Sequence, residues 1–382
     1  MKLPQIKDSD LFISIRIPDG IIARNQVLGC IDHLSLSSTV SLRSVTPREF
    51  EVAIEKNSGS PNKLCKLFSC VNGFPYFEDE LLSSFRETKN PQVTCVVLVG
   101  FNDLFVRQQL LPSIIANSKD YEIEIVIINA GYEYNIKLPK AFPIHNSDFG
   151  WISRAYNLGG KLAKGDFIAF FHDDCVLNDP RWLDKSASAI NGGLAAVTGA
   201  LKVKEFTVLG LQGAKFQIAK ATPLVIERDV FHNFAYFDEN YYIGFEDLDF
   251  TYNLLSKGLS IGQVDIDIIH LGGASTAIGL SNCPEVLSFL IANNMLPLES
   301  IYSCLIDSWE SCRNIAQLRH MDLLHMNYFF KKFKAFLGPT FSSYEVLVQE
   351  LLKGYSTSKK SPRLDDKEGL IRIWKSIIVP NS

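Results

Sequence analysis

The sequence has no apolar run approaching the roughly 20 residues that a membrane-spanning helix needs. Its first residues, Met1-Lys2-Leu3-Pro4-Gln5-Ile6-Lys7-Asp8, hold none of the apolar core of a secretion signal. Both absences predict a cytoplasmic protein, with peripheral contact at the inner face of the membrane as the one membrane association left open. None of the eight cysteines falls in a C-x-x-C spacing. Several sit inside apolar runs, so reduced, mostly buried thiols are expected rather than a disulfide framework or a zinc site. A strong excess of either charge is also missing: the net charge of −4 argues against a nucleic-acid binder. No internal repeat is present.

What is there is an uneven distribution of charge and pattern. Residues 91–280 carry 15 basic against 21 acidic side chains, whereas the segments on either side are close to balanced. If the middle segment binds an anionic ligand, its own charge cannot attract it, and a divalent cation must mediate. Residues 1–90 mix a period-2 stretch, Leu11 to Ile17, with turn-rich connections, and read as a small β or α+β region. From Pro91 strand and helix patterns alternate: strands at Val93 to Val99, Ile123 to Ile128, Leu194 to Thr198, Thr222 to Ile226 and Ile261 to Ile269, with helices at about 103–118, 152–164 and 247–257. This alternation is the signature of a parallel α/β sheet. After residue 282 helical runs take over (Val286 to Asn293, Leu305 to Met326, Tyr344 to Tyr355, Glu368 to Ile378), with Ser356 to Asp366 as an exposed linker. Three regions follow: 1–90, 91–282 and a helical 283–382.

The chemistry gathers at predicted strand ends. Gly165 to Phe171 is an apolar strand that stops at His172-Asp173-Asp174. In an α/β sheet such an end opens on the ligand rim, where two adjacent carboxylates raise a pKa or recruit a cation. The same residues are also good turn chemistry. Phe101-Asn102, Asn129 and His270 end other strands, and Glu246-Asp247-Leu248-Asp249 opens a helix, where an acidic first turn is common for its own sake.

The ordered set from about Thr94 to Ser275 resembles the family 2 glycosyltransferases with the GT-A nucleotide-sugar-binding fold. Phe101-Asn102, Asn129, Ala155-Tyr156-Asn157-Leu158-Gly159, Gly165 to Asp174, Phe237-Asp238-Glu239, Glu246-Asp247-Leu248-Asp249, Gly258 and His270 stand in the family's order. The resemblance implies a mostly parallel GT-A sheet and a metal-dependent, inverting transfer of a hexosyl group to a hydroxyl of a glycan or glycoconjugate, as in polysaccharide biosynthesis. The donor is a nucleotide sugar, with UDP favoured. Asp174 and His270 are implied as ligands of Mn²⁺ or Mg²⁺. Phe101, Asn102, Asn129, Asn157, His172 and Asp173 are implied on the nucleotide side, Asp247 as general base and Glu246 facing the acceptor or exchanging roles with it, while Asp249 is expected to cap its helix. Two positions depart from the family pattern, His172 and Asn129 standing where aspartates are usual.

Acceptor choice is expected to fall to residues 202–220 and to the terminal regions, with Gly210-Leu211-Gln212-Gly213 read either as a mobile loop or as a plain hairpin connection. Phe329-Phe330-Lys331-Lys332-Phe333-Lys334 is either a half-buried helix or a cationic membrane contact. Two rivals remain. A sugar-nucleotide nucleotidyltransferase would need a glycine-rich loop where Val97-Leu98-Val99-Gly100-Phe101-Asn102 has a single glycine. A non-catalytic binding or scaffold protein would keep the fold without the chemistry.

Overall fold

The structure is a computed structural model that describes residues 5–8, 12–18, 24–34, 36, 40–46, 49–55, 60–75, 77, 80–86, 88–130, 142–147, 151–205, 215–241, 244–281, 284–297, 301, 303, 315–338, 346, 348 and 349. The Gly210 to Gly213 loop, the Ser356 to Asp366 linker and the Glu368 to Ile378 helix lie outside the described residues, as does almost all of Tyr344 to Tyr355.

The first ninety residues build an antiparallel sheet from β1 (Gln5–Asp8), β2 (Phe12–Pro18), β3 (Val40–Thr46) and β4 (Glu49–Glu55) in the order β1-β2-β4-β3, together with the helices Arg24–His33 and Ser60–Asn72. Its core of Ile17, Val27, Val52, Ile54, Leu67 and Phe68 runs on into Val176, Leu271, Ala274 and the helix Pro284–Ala292. The N-terminal region therefore leans directly on the segment that follows His270.

The central sheet comprises β5 (Val93–Val99), β6 (Ile123–Asn129), β7 (Ile144–Asn146), β8 (Phe167–Phe171), β10 (Ala196–Thr198), β13 (Leu224–Glu227) and β14 (Ile261–Gln263). Short pieces lie outside it: β9 (Cys175–Leu177), β11 (Leu201–Glu205), β12 (Lys215–Ala219) and β15 (Ile268–His270). The seven strands run β14-β10-β13-β8-β5-β6-β7. Only β13 is antiparallel to its neighbours. The reason the strands read as unbroken apolar runs is visible in their packing: Val93, Cys95, Val97 and Val99 enter one core, Val96 and Leu98 the other. Both faces are covered by helices, so neither parity can be polar.

Glycines decide two close approaches. A Cβ on Gly159 would stand 2.2 Å from Val96 Cγ1, which lets the helix Ile152–Leu162 lie directly on β5. A Cβ on Gly165 would stand 2.6 Å from both Thr94 N and Val93 C, a collision with backbone that no rotamer relieves. Gly165→Ala is accordingly expected to cost about 2 kcal/mol, the range of core overpacking, read as a lower urea midpoint with unchanged slope; an unaltered midpoint would show that the strand entry yields freely.

One predicted strand is two. The chain leaves β14 after Gln263, turns through Val264 to Asp267, and re-forms as β15 in a separate antiparallel pair with β9. Asp265 and Asp267 interrupt the apolar run, and the backbone carbonyl of each is taken elsewhere: Lys185 Nζ donates to Asp265 O at 2.6 Å, Asn178 N to Asp267 O at 2.9 Å. At the C-terminal side the helix Ile315–Lys332 continues six residues past the expected stop at Met326, since Phe329, Phe330 and Phe333 pack on Phe216, Tyr241, Leu248 and Tyr252. The half-buried reading of Phe329 to Lys334 holds: its phenylalanines are buried while Lys331 and Lys334 are exposed.

Candidate active site

Asp173 and Asp174 occupy the turn between β8 and β9. β8 ends because His172 N, instead of continuing a ladder, donates to Ala221 O at 2.9 Å. The neighbouring strand end reaches across: Gly100 N donates to Asp173 Oδ2 at 3.0 Å, and Asn102 Nδ2 to the Asp173 carbonyl at 3.2 Å. Phe101 turns the other way and packs against the N-terminal core. The expected convergence of strand ends thus joins Gly100 and Asn102 to the carboxylate pair. Asn129 ends β6 farther along the same rim, its Nδ2 donating to Asn146 Oδ1 at 3.0 Å.

His270 arrives by another route than expected. It does not end a strand of the central sheet; β15 pairs with β9, His270 opposite Cys175, and this brings Nε2 to 3.2 Å from Asp174 Oδ1. The segment after it wraps the pair: Leu271 N donates to Asp174 O at 2.9 Å, Ala274 N to Asp174 Oδ2 at 3.2 Å, and Ser275 Oγ to Asp173 Oδ2. Burial works to raise the Asp174 carboxyl, but the adjacent His270 and the Ala274 N–H outweigh it and hold the group well below the usual carboxylate range. Asp173 goes the other way, pushed up to about 7 by burial and by the charge of Asp174.

His172 stacks on His270, ring centroids 5.5 Å apart at 9°, and its Nδ1 is 3.2 Å from Tyr156 OH. Burial and the neighbouring His270 push it down to about 4, so a neutral imidazole stands where the family carries an aspartate. Tyr156 belongs to the Ala-x-Asn-x-Gly helix. Asn157 of that helix is spent on structure: Nδ2 donates to Phe237 O at 2.8 Å and Oδ1 accepts from Phe237 N at 2.9 Å. It fastens the Phe237-Asp238-Glu239 stretch, with Arg154 Nε 3.1 Å from Glu239 Oε2.

Glu246 and Asp247 open the helix Glu246–Ser256 after Phe245, whose φ of 70° lies in the left-handed region. For a bulky aromatic residue this backbone is strained, and such strain marks sites where a following side chain must be aimed. Asp247 Oδ1 accepts from Leu248 N at 2.8 Å, and Oδ2 is ion-paired with Lys220 Nζ. Burial would raise its carboxyl; the lysine beside it wins and lowers it. Glu246, with no such contact, is pushed up to about 7 by burial and by Asp247. Its Oε2 is buried without a hydrogen-bond partner among the described residues. Lys220 also feels the charges of Glu246 and Asp174, and His172 those of Asp174, Lys220 and Asp247. Asp174 and Asp247, 73 residues apart in the chain, therefore belong to one electrostatic cluster.

Asp249 does not cap its helix. Its side chain has no exposure and takes Lys332 Nζ on both oxygens, at 2.7 and 2.8 Å.

A cation would find suitable ligands. Asp174, Cys175 and His270 each offer an atom within 4.8 Å of the others. A carboxylate oxygen and an imidazole nitrogen suit Mn²⁺ or Mg²⁺, whereas the buried Cys175 thiol is a soft donor that such ions pass over.

Residues 95–210 match the family model described as glycosyl transferase family 2. The middle of this chain is a family 2 glycosyltransferase domain. With its single reversed strand among six aligned ones, the central sheet of this glycosyltransferase domain has the GT-A fold. Similar solved structures include GalNAc-T7 with UDP, GalNAc and Mn²⁺ (14% identity, TM-score 0.36, 47% of this chain and 43% of that one). S. aureus TarS 1–349 is a second (14%, 0.36, 75% and 90%). A mutant Drosophila β-1,4-galactosyltransferase 7 with manganese, UDP-Gal and xylobiose is a third (16%, 0.30, 45% and 64%). The chain thus spans less than half the length of GalNAc-T7. Among curated proteins none matches it significantly.

Sequence reasoning about this glycosyltransferase domain missed Lys220, Ser275 and Tyr156. Lys220 stood at the edge of a stretch assigned to the acceptor, with nothing in its local pattern to pair it with Asp247. Ser275 followed a legible Gly-Gly turn, yet its partner lies 102 residues away.

Proposed function

We propose that the protein is a metal-dependent, inverting glycosyltransferase that moves a hexosyl group from a nucleoside-diphosphate sugar, UDP favoured, to a hydroxyl of a glycan or glycoconjugate. The single observation that carries this reading is the shared cluster of Asp174 with His270 on one side and Asp247 with Glu246 on the other, linked through Lys220 and His172. One half suits a cation and a diphosphate, the other an acceptor proton.

In the reaction the acceptor oxygen forms a bond to the anomeric carbon while the bond from that carbon to the phosphate oxygen breaks. The electron pair leaves with the nucleoside diphosphate, and the hydroxyl proton passes to Asp247. Direct displacement inverts the anomeric centre, and a single ionised carboxylate suffices as base. Asp174 and His270 would hold the Mn²⁺ or Mg²⁺, which when bound supplies a Lewis acid for the departing diphosphate. Asp173, tied to Gly100 and Ser275, keeps the turn that presents Asp174. Asn129 offers both a donor and an acceptor to a nucleobase.

No helix among the described residues is long and apolar enough to cross a membrane. A cytoplasmic location, with peripheral contact at the membrane's inner face, is part of this proposal.

Release of nucleoside diphosphate from a donor panel, with and without Mn²⁺, tests the reading directly: turnover should require the ion and one donor class. Absence of turnover with every donor, at saturating Mn²⁺ and with a range of glycan acceptors, would falsify it. Asp174→Asn is expected to weaken ion and donor binding together by at least the roughly 10- to 100-fold that losing a ligand's supporting partner costs. Calorimetry with UDP and Mn²⁺ checks this, and an unchanged affinity would remove Asp174 as a ligand.

A further inference from the structure

Two carboxylates stand side by side at the start of one helix, and their sequence, Glu246-Asp247, does not say which of them takes a proton from the acceptor. Their surroundings differ. Asp247 Oδ2 meets Lys220 Nζ, and Asp247 Oδ1 is fixed by Leu248 N. Among the described residues Glu246 takes backbone N–H groups, its own and that of Gly244, and its Oε2 is buried without a partner there. Lys220 is itself held in place. Its carbonyl accepts from Thr198 Oγ1 at 2.6 Å and from Thr222 N at 2.8 Å, and its N–H donates to Ala200 O at 3.3 Å. Thr251, one turn along the helix from Asp247, donates Oγ1 to Asp247 O at 2.7 Å and accepts from Ala219 N at 3.0 Å. The strand end and the helix start are thus locked in register around the ammonium–carboxylate contact.

Resting on the transferase reading above, we infer that Lys220 is a positioning residue that divides the work of the two carboxylates. Its ammonium pins Asp247 as the base, and Glu246, outside that ion pair, is left to hydrogen-bond the acceptor.

Among the described residues, few charged or titratable groups face Asp247. Lys220 comes from the end of β12, Glu246 from its own helix, and His172 from the turn after β8, while Asp174 acts on Lys220 from farther off. Lys332, on the C-terminal helix packed against the same element, is committed to Asp249 and Asp238. Among the described residues, Lys220 is the cation ion-paired with Asp247. Without it, burial and the neighbouring glutamate both disfavour the ionised aspartate. Proton transfer needs a base that is already ionised at working pH and whose free lone pair points at the acceptor hydroxyl. Lys220 serves the first requirement through its charge and the second by fixing Oδ2 while Leu248 N fixes Oδ1.

The test compares wild type, Lys220→Met and Lys220→Arg by the pH profile of kcat/KM. In parallel, carboxyl-carbon NMR follows the titration of Asp247 itself, its resonance identified by its loss in Asp247→Asn. In Lys220→Met the acidic limb and the Asp247 titration should move up together by at least one pH unit. Activity on the acidic side should then fall by roughly tenfold or more and recover as pH rises, since one unit is a factor of ten in the ionised fraction. Lys220→Arg should keep both near wild type, and donor KM should change less than threefold in either variant. An Asp247 titration that does not move in Lys220→Met overturns the inference. So does a drop in activity that is the same at every pH, or a large rise in donor KM with the limb unmoved, which would put Lys220 on the diphosphate instead. If wild type turns over no donor, the transferase reading fails, while the NMR titration still decides the role of Lys220.

Discussion

Asp247→Asn is expected to lower transfer by roughly 10³-fold, the middle of the range that a positioned general base contributes. Metal-dependent donor binding should stay within about twofold, because Asn keeps the shape and the Leu248 N–H contact and the substitution lies on the acceptor side of the cluster. The change removes the proton acceptor and leaves an amide that Lys220 can still reach. Single-turnover rates with saturating donor and Mn²⁺ separate this from a binding loss. Turnover at the wild-type rate would remove Asp247 as base and shift the role to Glu246, whose carboxyl, pushed up to about 7, is ionised only in part near neutrality.

The largest effect on stability is expected away from the chemistry. Lys332 Nζ lies 2.6 Å from Asp238 and 2.7 Å from Asp249, and Tyr328 OH donates to Asp238 at 2.9 Å. Asp238 belongs to the Phe-Asp-Glu stretch and Asp249 to the helix that carries Asp247, so one cation from the C-terminal helix braces both. The Asp249 side chain is fully buried. Removing one partner of a buried pair strands the other charge, at a cost of about 3 kcal/mol or more. Lys332→Met should therefore lower the unfolding free energy by about that much near neutral pH, while Lys332→Arg keeps most of it.

The dependence on pH has a definite sign. Burial is the first influence on Asp249 and raises its carboxyl from 3.8 to about 6, with Lys332 pulling it back. A raised carboxyl favours the neutral form in the folded state, so its contribution is complete below the ordinary value and is lost as pH rises through 6. Without Lys332 the carboxyl rises farther. Destabilisation by Lys332→Met should then be large at alkaline pH and small below about pH 4. Urea unfolding at both ends of that window checks it, and equal losses at the two would mean that lost packing of the lysine stem, rather than a stranded charge, is responsible.

The chemistry was legible where it is written in adjacent residues. The strand ending in His172-Asp173-Asp174 and the helix starting at Glu246-Asp247 are local patterns, and burial of both sheet faces makes the strands continuous apolar runs that any reading of periodicity finds. The two strands β14 and β15 were read as one because apolar residues stand on both sides of Asp265 and Asp267, with Ile266 between them. Only the capture of the Asp265 and Asp267 carbonyls by Lys185 and Asn178 ends the first piece.

Partner choice was not legible at all. Lys220 meets Asp247 across 27 residues, Lys332 meets Asp249 across 83, and Ala274 N meets Asp174 across 100. A lone lysine or an amide has no pattern that names its carboxylate. By itself the sequence determined the long buried strands of the central sheet and the carboxylates that follow them, because those depend on neighbours one to four residues away, and the order of its motifs determined the family they resemble. Which carboxylate is held ionised, how His270 comes to Asp174 and what braces the helix of Asp247 were decided by the tertiary structure, since each depends on burial and on charges brought together only when distant segments pack.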